Sequence, residues 1–222
     1  MARRGTTGSG WYRLRRTRTR NGTGTGNEDR IPTLEAPPWR LRPFEESDLE
    51  LVAEASRDPV IPLVSSVPRR FDPDAGRRYL RRHQRSLRDG YGYSFVIAGP
   101  DGRGVGSLGV WLRDVDLGRA SIGYWVLAGA RGRGAASSAL GAASRWALGE
   151  LGIPRLELWV EPWNVASVRT AEHAGFRLEG LLRSWQAVDG ERRDMYGYSL
   201  LAADLDEDPG PPSGRAARPG RP

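Results

Sequence analysis

Two short blocks of the 222-residue chain carry residue types at spacings that could do chemistry. In the first, the apolar run Ile122–Leu127 leads into Arg131-Gly132-Arg133-Gly134-Ala135-Ala136, where a helical pattern starts. Glycines let the backbone fold tightly and turn successive N–H groups toward one point. A helix N-terminus adds its own unpaired N–H groups and a partial positive charge. Together these make a cradle for a pyrophosphate, to which the Arg131 and Arg133 side chains could add charge. By itself the block reads equally well as a plain tight turn. It is not a nucleotide P-loop, since Gly-Lys-Ser/Thr is missing, and its glycines do not fit the dinucleotide fingerprint. In the second block, Leu156-Glu157-Leu158-Trp159-Val160-Glu161 runs through Asn164 and Ser167 to Gly175-Phe176. It offers two carboxylates, an amide and a hydroxyl close together.

Other chemistries find little support. The chain has no Cys, which rules out a disulfide framework, a thiolate metal site and a cysteine nucleophile. No His/Asp/Glu cluster has metal-ligand spacing, and no metal is expected. His173 reads as a surface or capping residue. His83, inside Arg81-Arg82-His83-Gln84-Arg85, reads as part of a solvated helix face.

The elements that must position the two blocks are legible from periodicity and turn residues. Trp39–Arg42 is a short strand, and Ser47-Asp48-Leu49-Glu50 has the spacing of a capping box, predicting a helix to about Arg57. Asp72-Pro73 opens a helix that runs to Leu87. Residues 93–98 and 105–112 pair around Pro100-Asp101-Gly102, and 120–127 is a third strand of that meander. A helix follows Gly134, and the alternation of Leu156, Leu158 and Val160 marks a strand over 155–160. Residues 166–173 are helical, and two closing strands, around 180–188 and 194–201, meet at the Asp189-Gly190 turn. This order predicts an α+β layout with a mixed sheet.

The net charge of +7 invites a nucleic-acid reading, but the charge is unevenly placed. Residues 1–30 carry eight Arg against Glu28 and Asp29, while 206–222 carry three acids and three Arg. The stretch between is close to neutral. Residues 1–38 therefore read as a disordered basic N-terminal tail, 39–205 as one domain, and 206–222 as a disordered C-terminal tail. A flexible basic tail would contact RNA or the ribosome weakly and with strong salt dependence. No run of 18 apolar residues is present, so no membrane partner is expected. The N-terminal stretch lacks the apolar region of a secretory signal, which points to a cytoplasmic location.

From about Trp39 to Asp204 the sequence resembles the GNAT N-acetyltransferases, and more narrowly the branch that acetylates ribosomal-protein N-termini. Arg131-Gly132-Arg133-Gly134-Ala135-Ala136 resembles that family's pyrophosphate loop, and Asn164-x-x-Ser167 with Gly175-Phe176 its second block. Ile122-Gly123-Tyr124-Trp125, and Gly180-Leu181-Leu182-Arg183 followed by Asp189-Gly190 and Asp194, are similar to the same branch. The resemblance implies the GNAT fold, an α/β sandwich with a mostly antiparallel central sheet, a V-shaped splay and helices on both faces. It implies acetyl-CoA as cosubstrate, an amine as acceptor, and homodimers as a property of the branch. Backbone groups of Val126 and Leu127 would pair with the pantetheine arm, and residues 131–136 would hold the pyrophosphate. Asn164 would bond the pantetheine or fix its loop, and Ser167 would lie near the thioester sulfur. Acceptor specificity would lie in 58–75 and in the 189–193 hairpin loop, with Tyr93 and Trp111 as candidates for the pocket wall.

The chain departs from the family at two catalytic positions. The branch often has Glu just before Ile-Gly-Tyr, where this chain has Ser121, able at best to order a water. Many relatives place a Tyr acid where this chain has Ala171, which leaves Ser167 as the candidate donor to the thiolate. Of the nearby carboxylates, strand alternation makes Glu157 a structural pair. A protein α-amine, with a pKa near 8 against about 10.4 for Lys, asks less of a base, which favours an N-terminal acceptor. A small-molecule amine or antibiotic acetyltransferase, and a non-catalytic acyl-CoA sensor or scaffold, stay open beside it.

Overall fold

A computed structural model describes residues 30–205, so the tail expectations for 1–29 and 206–222 lie outside the described residues. Eight strands are present there: β1 (Leu34–Ala36), β2 (Trp39–Arg42), β3 (Gly92–Ala98), β4 (Gly104–Trp111), β5 (Arg119–Val126), β6 (Arg155–Val160), β7 (Arg177–Val188) and β8 (Glu191–Leu201). The helices are α1 (Leu49–Ala55), α2 (Ile61–Val64), α3 (Pro73–Arg85), α4 (Ala135–Gly149) and α5 (Val165–His173). The strands form one sheet in the order β1-β2-β3-β4-β5-β6-β8-β7, antiparallel throughout except for the β5–β6 pair. This is the GNAT fold.

Two local expectations are corrected. Leu34–Ala36 pairs with β2 as an edge strand, and Ile31 is buried, so the folded unit starts ahead of Trp39. The capping box lies two residues earlier than expected. The Glu45 N–H donates to Asp48 Oδ2 at 2.8 Å, a 3-10 turn covers Glu46–Asp48, and α1 follows. The cause is tertiary: Arg42 on β2 grips the buried Asp48 carboxylate with two bonds of 2.8 Å. The α3 start is as the sequence predicts, with Asp72 Oδ1 accepting from the Ala75 N–H at 2.7 Å.

Alternation along β5 divides the core. Ile122 and Val126 face α4, whose buried Ala135, Ala139, Ala143 and Ala147 let the helix lie close to the sheet. Trp125 and Leu127 face the opposite layer, where α1 and α3 bring Val52, Tyr79 and Leu80 over Val96.

The crossover through α4 places β6 parallel to β5, but their ladder covers only Arg119–Ser121 against Arg155–Glu157. Beyond it β5 runs on to Val126 and β6 to Val160, and the sheet splays open. Near the far side of the opening, β7 carries an irregularity between Leu182 and Gln186. Ser184 there has φ 51°, and its N–H donates to Asp194 Oδ1 at 2.7 Å. Such a bulge re-aims the residues after it, and Gln186 and Val188 face the opening.

Candidate active site

The turn between β5 and α4 has the geometry of an anion cradle. Gly132 and Gly134 lie at φ +73° and +80°, a region that side chains strain. Gly134 is the N-cap of α4, and no side chain caps that helix start. The Ser138 N–H is the first to bond within the helix, to the Gly134 carbonyl at 2.9 Å, which leaves the amides of Ala135, Ala136 and Ser137 to face a ligand. A Cβ built on Gly132 meets nothing within 4 Å, so no protein atom crowds the turn there. These residues fit a pyrophosphate.

The Arg131 side chain does not join the cradle. Its Nε donates to the Val126 carbonyl at 3.0 Å and its Nη2 to Asp58 Oδ2 at 2.7 Å. Asp58 in turn accepts from the Val60 and Ile61 N–H groups at the start of α2. Burial alone would raise the Asp58 pKa, but these two N–H groups and Arg131 hold it below the usual value. The cradle is thereby tied to the 58–75 segment, while Arg133 stays exposed. Leu127 is held by the neighbouring strand and turn. Its N–H donates to Val105 and its carbonyl accepts from Ala130, both at 2.9 Å, so its N–H is committed to the sheet and only the second lone pair of its carbonyl is left for a pantetheine arm. Antiparallel alternation turns the peptide groups of Val126 to the open edge, where its carbonyl already accepts from Arg131 and its N–H is left for a ligand.

The splay opens into a cleft of about 260 Å³. Its floor is the sheet, where Trp111 lies flat over Gly109 and Gly123; a Cβ on Gly109 would come within 2.7 Å of the indole. One wall is α3 and the segment before it, through Tyr79, His83 and Ser66, and the opposite wall is the β7–β8 hairpin. Arg69 and Asp189, 2.7 Å apart, link the two segments expected to set specificity. Tyr93 does not reach the cleft and packs edge-on against Trp146 at 4.6 Å.

His83 corrects the expectation of a solvated helix face. Its ring sits 4.2 Å from Tyr79 and 5.0 Å from Phe44, and Nδ1 is buried without a partner. Burial, helped by the neighbouring Arg82, lowers its pKa to about 3. The signal was present in the sequence: Gly76, Tyr79, Leu80 and His83 form one helical stripe. Between the unfolded value of 6.5 and the folded value of about 3, unfolding takes up a proton at His83. Its contribution to stability is complete above that window and is lost as pH falls through it. His83→Phe is expected to lose less Tm than the parent between about pH 7 and pH 5, measured by thermal unfolding.

Where the cleft meets α5, the second block converges. Asn164 caps α5, its Oδ1 accepting from the Ser167 N–H at 3.1 Å, and both residues line the cleft. The Tyr124 hydroxyl, from β5, is buried beside Ser167 and Thr170 without a hydrogen bond of standard geometry, and burial raises its pKa. Nothing local in the sequence tells that the Tyr124 hydroxyl ends beside Ser167. Ser121 is half-buried, pairs with Trp111 and Glu157, and is not among the cleft-lining residues. The two hydroxyls named from sequence are thus not brought together. Glu157 is the structural pair its strand position predicts, 2.9 Å from Arg155 and 3.8 Å from Arg119.

Residues 39–177 match the family model described as Acetyltransferase (GNAT) domain. The chain belongs to the GNAT acetyltransferase family. It is 28% identical over 172 residues to the uncharacterized N-acetyltransferase p20 of Bacillus licheniformis, covering 77% of this chain and 97% of that protein. It is 29% identical over 137 residues to the probable N-acetyltransferase YjcK of Bacillus subtilis strain 168, covering 60% of this chain and 75% of that one. Among solved structures, Mycobacterium smegmatis RimJ in complex with CoA-disulfide superposes with a TM-score of 0.68 at 27% identity, covering 81% of this chain and 90% of that one.

For a GNAT acetyltransferase, transfer to an amine needs a neutral nitrogen, a polarised carbonyl and a proton for the departing sulfur. The hydroxyls of Ser167 and Tyr124 lie together where the cleft meets α5. The Trp111 indole covers Gly109 and Gly123 on the floor of the cleft, below the space it encloses. Gly109→Ala is expected to lift the indole into that space and raise the acceptor KM about 5- to 10-fold, or about 1–1.4 kcal/mol. Coenzyme A affinity should hold, and steady-state kinetics with calorimetry separate the two.

Proposed function

We propose that this GNAT acetyltransferase transfers acetyl from acetyl-CoA directly to the α-amine of a polypeptide N-terminus, a ribosomal protein being the acceptor that the sequence resemblance favours. One observation carries the acceptor class: among the cleft-lining residues there is a single carboxylate, Glu161, and no Arg or Lys. One negative charge suits one ammonium group. A polycationic antibiotic would call for several acids, so the cleft favours the monovalent acceptor. Exposed Trp111, Trp163 and Trp185 lie in or beside the opening, and such amphipathic rings suit a peptide that must be held at low entropic cost.

Acetyl-CoA supplies the activated acetyl group. Ala135, Ala136 and Ser137 would bind its pyrophosphate through their N–H groups with Gly132, Arg133 and Gly134 shaping the cradle, and the open edge at Val126 would align the pantetheine arm. Asn164 fixes the first turn of α5 and thereby the Ser167 hydroxyl. With no Cys in the chain, a cysteinyl acetyl-enzyme has no carrier, and positioning of both substrates in one complex supplies much of the rate.

The test is a peptide bearing a free α-amine and one internal Lys, incubated with acetyl-CoA and sequenced by mass spectrometry. Acetyl on the α-amine alone is the expected result. Acetyl on the Lys side chain, or on small amines while peptides stay unmodified, would overturn the acceptor assignment.

A further inference from the structure

We propose that Glu161 is the catalytic base of this site and the anchor of the incoming ammonium group, an inference that rests on the acetyltransferase reading above. Glu161 follows β6 directly. Arg155, Glu157 and Trp159 alternate onto one face of that strand, and Glu161 continues the series toward the cleft, which it lines. Its neighbour Glu157, on the same face, is held by two guanidinium groups. Glu161 is only 8% exposed, yet its carboxylate has no ion pair or hydrogen bond among the described residues. No Glu161 oxygen is among the fully enclosed unpartnered atoms, so the carboxylate opens onto the cleft it lines, where an arriving cation can supply a partner.

The mounting suits the role. The Glu161 carbonyl accepts from the Asn164 N–H at 2.9 Å, and the Asn164 side chain holds the Ser167 N–H. One turn of chain therefore fixes both the base and a proton donor. The titratable groups that share the cleft are His83 and Tyr79 from α3 and Tyr124 from β5; the β7–β8 wall contributes the uncharged Gln186, Val188 and Met195. Burial keeps His83 neutral at pH 7 and pushes the Tyr79 pKa up to about 12, and Glu161 is the one carboxylate among the cleft-lining residues.

The protons balance as follows. The ammonium group docks against Glu161, which takes one proton from nitrogen. The freed lone pair forms the N–C bond at the acetyl carbonyl carbon. As the C–S bond breaks, its electron pair leaves on sulfur. A second nitrogen proton passes through the Ser167 and Tyr124 hydroxyls to that sulfur, and the third remains on the amide. Glu161 then returns its proton to solvent, so one proton is released per turnover.

Glu161→Gln and Glu161→Asp, with a peptide beginning with Ala as acceptor, test this. At pH 7, kcat/KM for Glu161→Gln should fall about 100-fold, within the range for loss of a general base, with partial rescue in Glu161→Asp. The parent should hold a plateau toward acid, whereas the Gln variant should climb about tenfold per pH unit up to the α-amine pKa near 8. Calorimetry should show unchanged coenzyme A affinity in both variants and weakened peptide binding in the Gln variant. A Gln variant that keeps the parent's rate and profile would overturn the assignment, as would equal loss at every pH. A parent that binds coenzyme A but acetylates no amine would take the acetyltransferase reading down with it.

Discussion

Gly134→Val is expected to weaken coenzyme A binding about 30- to 150-fold, or about 2–3 kcal/mol. The residue stands at φ +80° as the N-cap of α4, a conformation a β-branched side chain adopts only with strain. No protein atom lies closer than 4.0 Å to a Cβ built there, so the protein itself would not be crowded. The loss would come from two sources. Either the turn relaxes and its N–H groups no longer converge, or it holds and the new methyl groups occupy ligand space. Gly129→Ala is the control, since a Cβ there meets nothing within 4 Å and its φ is not among the positive ones. Calorimetric titration with coenzyme A should show near-parent affinity for Gly129→Ala. Equal binding by Gly134→Val would place the pyrophosphate elsewhere.

The Tyr124→Phe, Ser167→Ala pair should lower kcat by about 10²–10³, each single change giving a smaller part of it. The two hydroxyls lie side by side at the splay, so either can partly cover for the other and the effects should not add. Tyr124→Phe has a signature that separates chemistry from folding. A buried hydroxyl without a partner costs stability, and removing it should leave Tm unchanged or raised while kcat falls. A structural tyrosine would show the reverse, with Tm falling and kcat per folded molecule unchanged. Coenzyme A affinity in the double variant should stay near that of the parent.

The sequence carried the strand and helix order because most elements have strong local signals. The alternation of β6, the Asp72-Pro73 cap and the Asp189-Gly190 turn all appear where periodicity and turn chemistry put them. What escaped depends on distant partners. β1 is three residues between Pro32 and Pro37, too short for a period, and it exists because Trp39–Arg42 pairs with it. The α1 start moved because Arg42 holds Asp48, a contact no local rule contains. That the Leu127 N–H is committed to Val105 depends on a strand register that local sequence does not carry. His83 was hidden by its Arg-rich neighbours, while Phe44 and Ser66, which help enclose it, come from other segments. The unpaired state of Glu161 is likewise a fact of three dimensions: strand alternation marks Glu157 as a structural pair but carries no sign that Glu161, past the end of β6, lines the cleft.

The most direct measurement is thiol release from acetyl-CoA per enzyme, with acetyl-CoA and an N-terminal peptide varied together. Direct transfer in one complex predicts many turnovers per enzyme, strict dependence on a free α-amine, and initial-rate lines that intersect. Tight coenzyme A binding with no thiol release across peptides and simple amines would contradict the account and identify a binding protein instead.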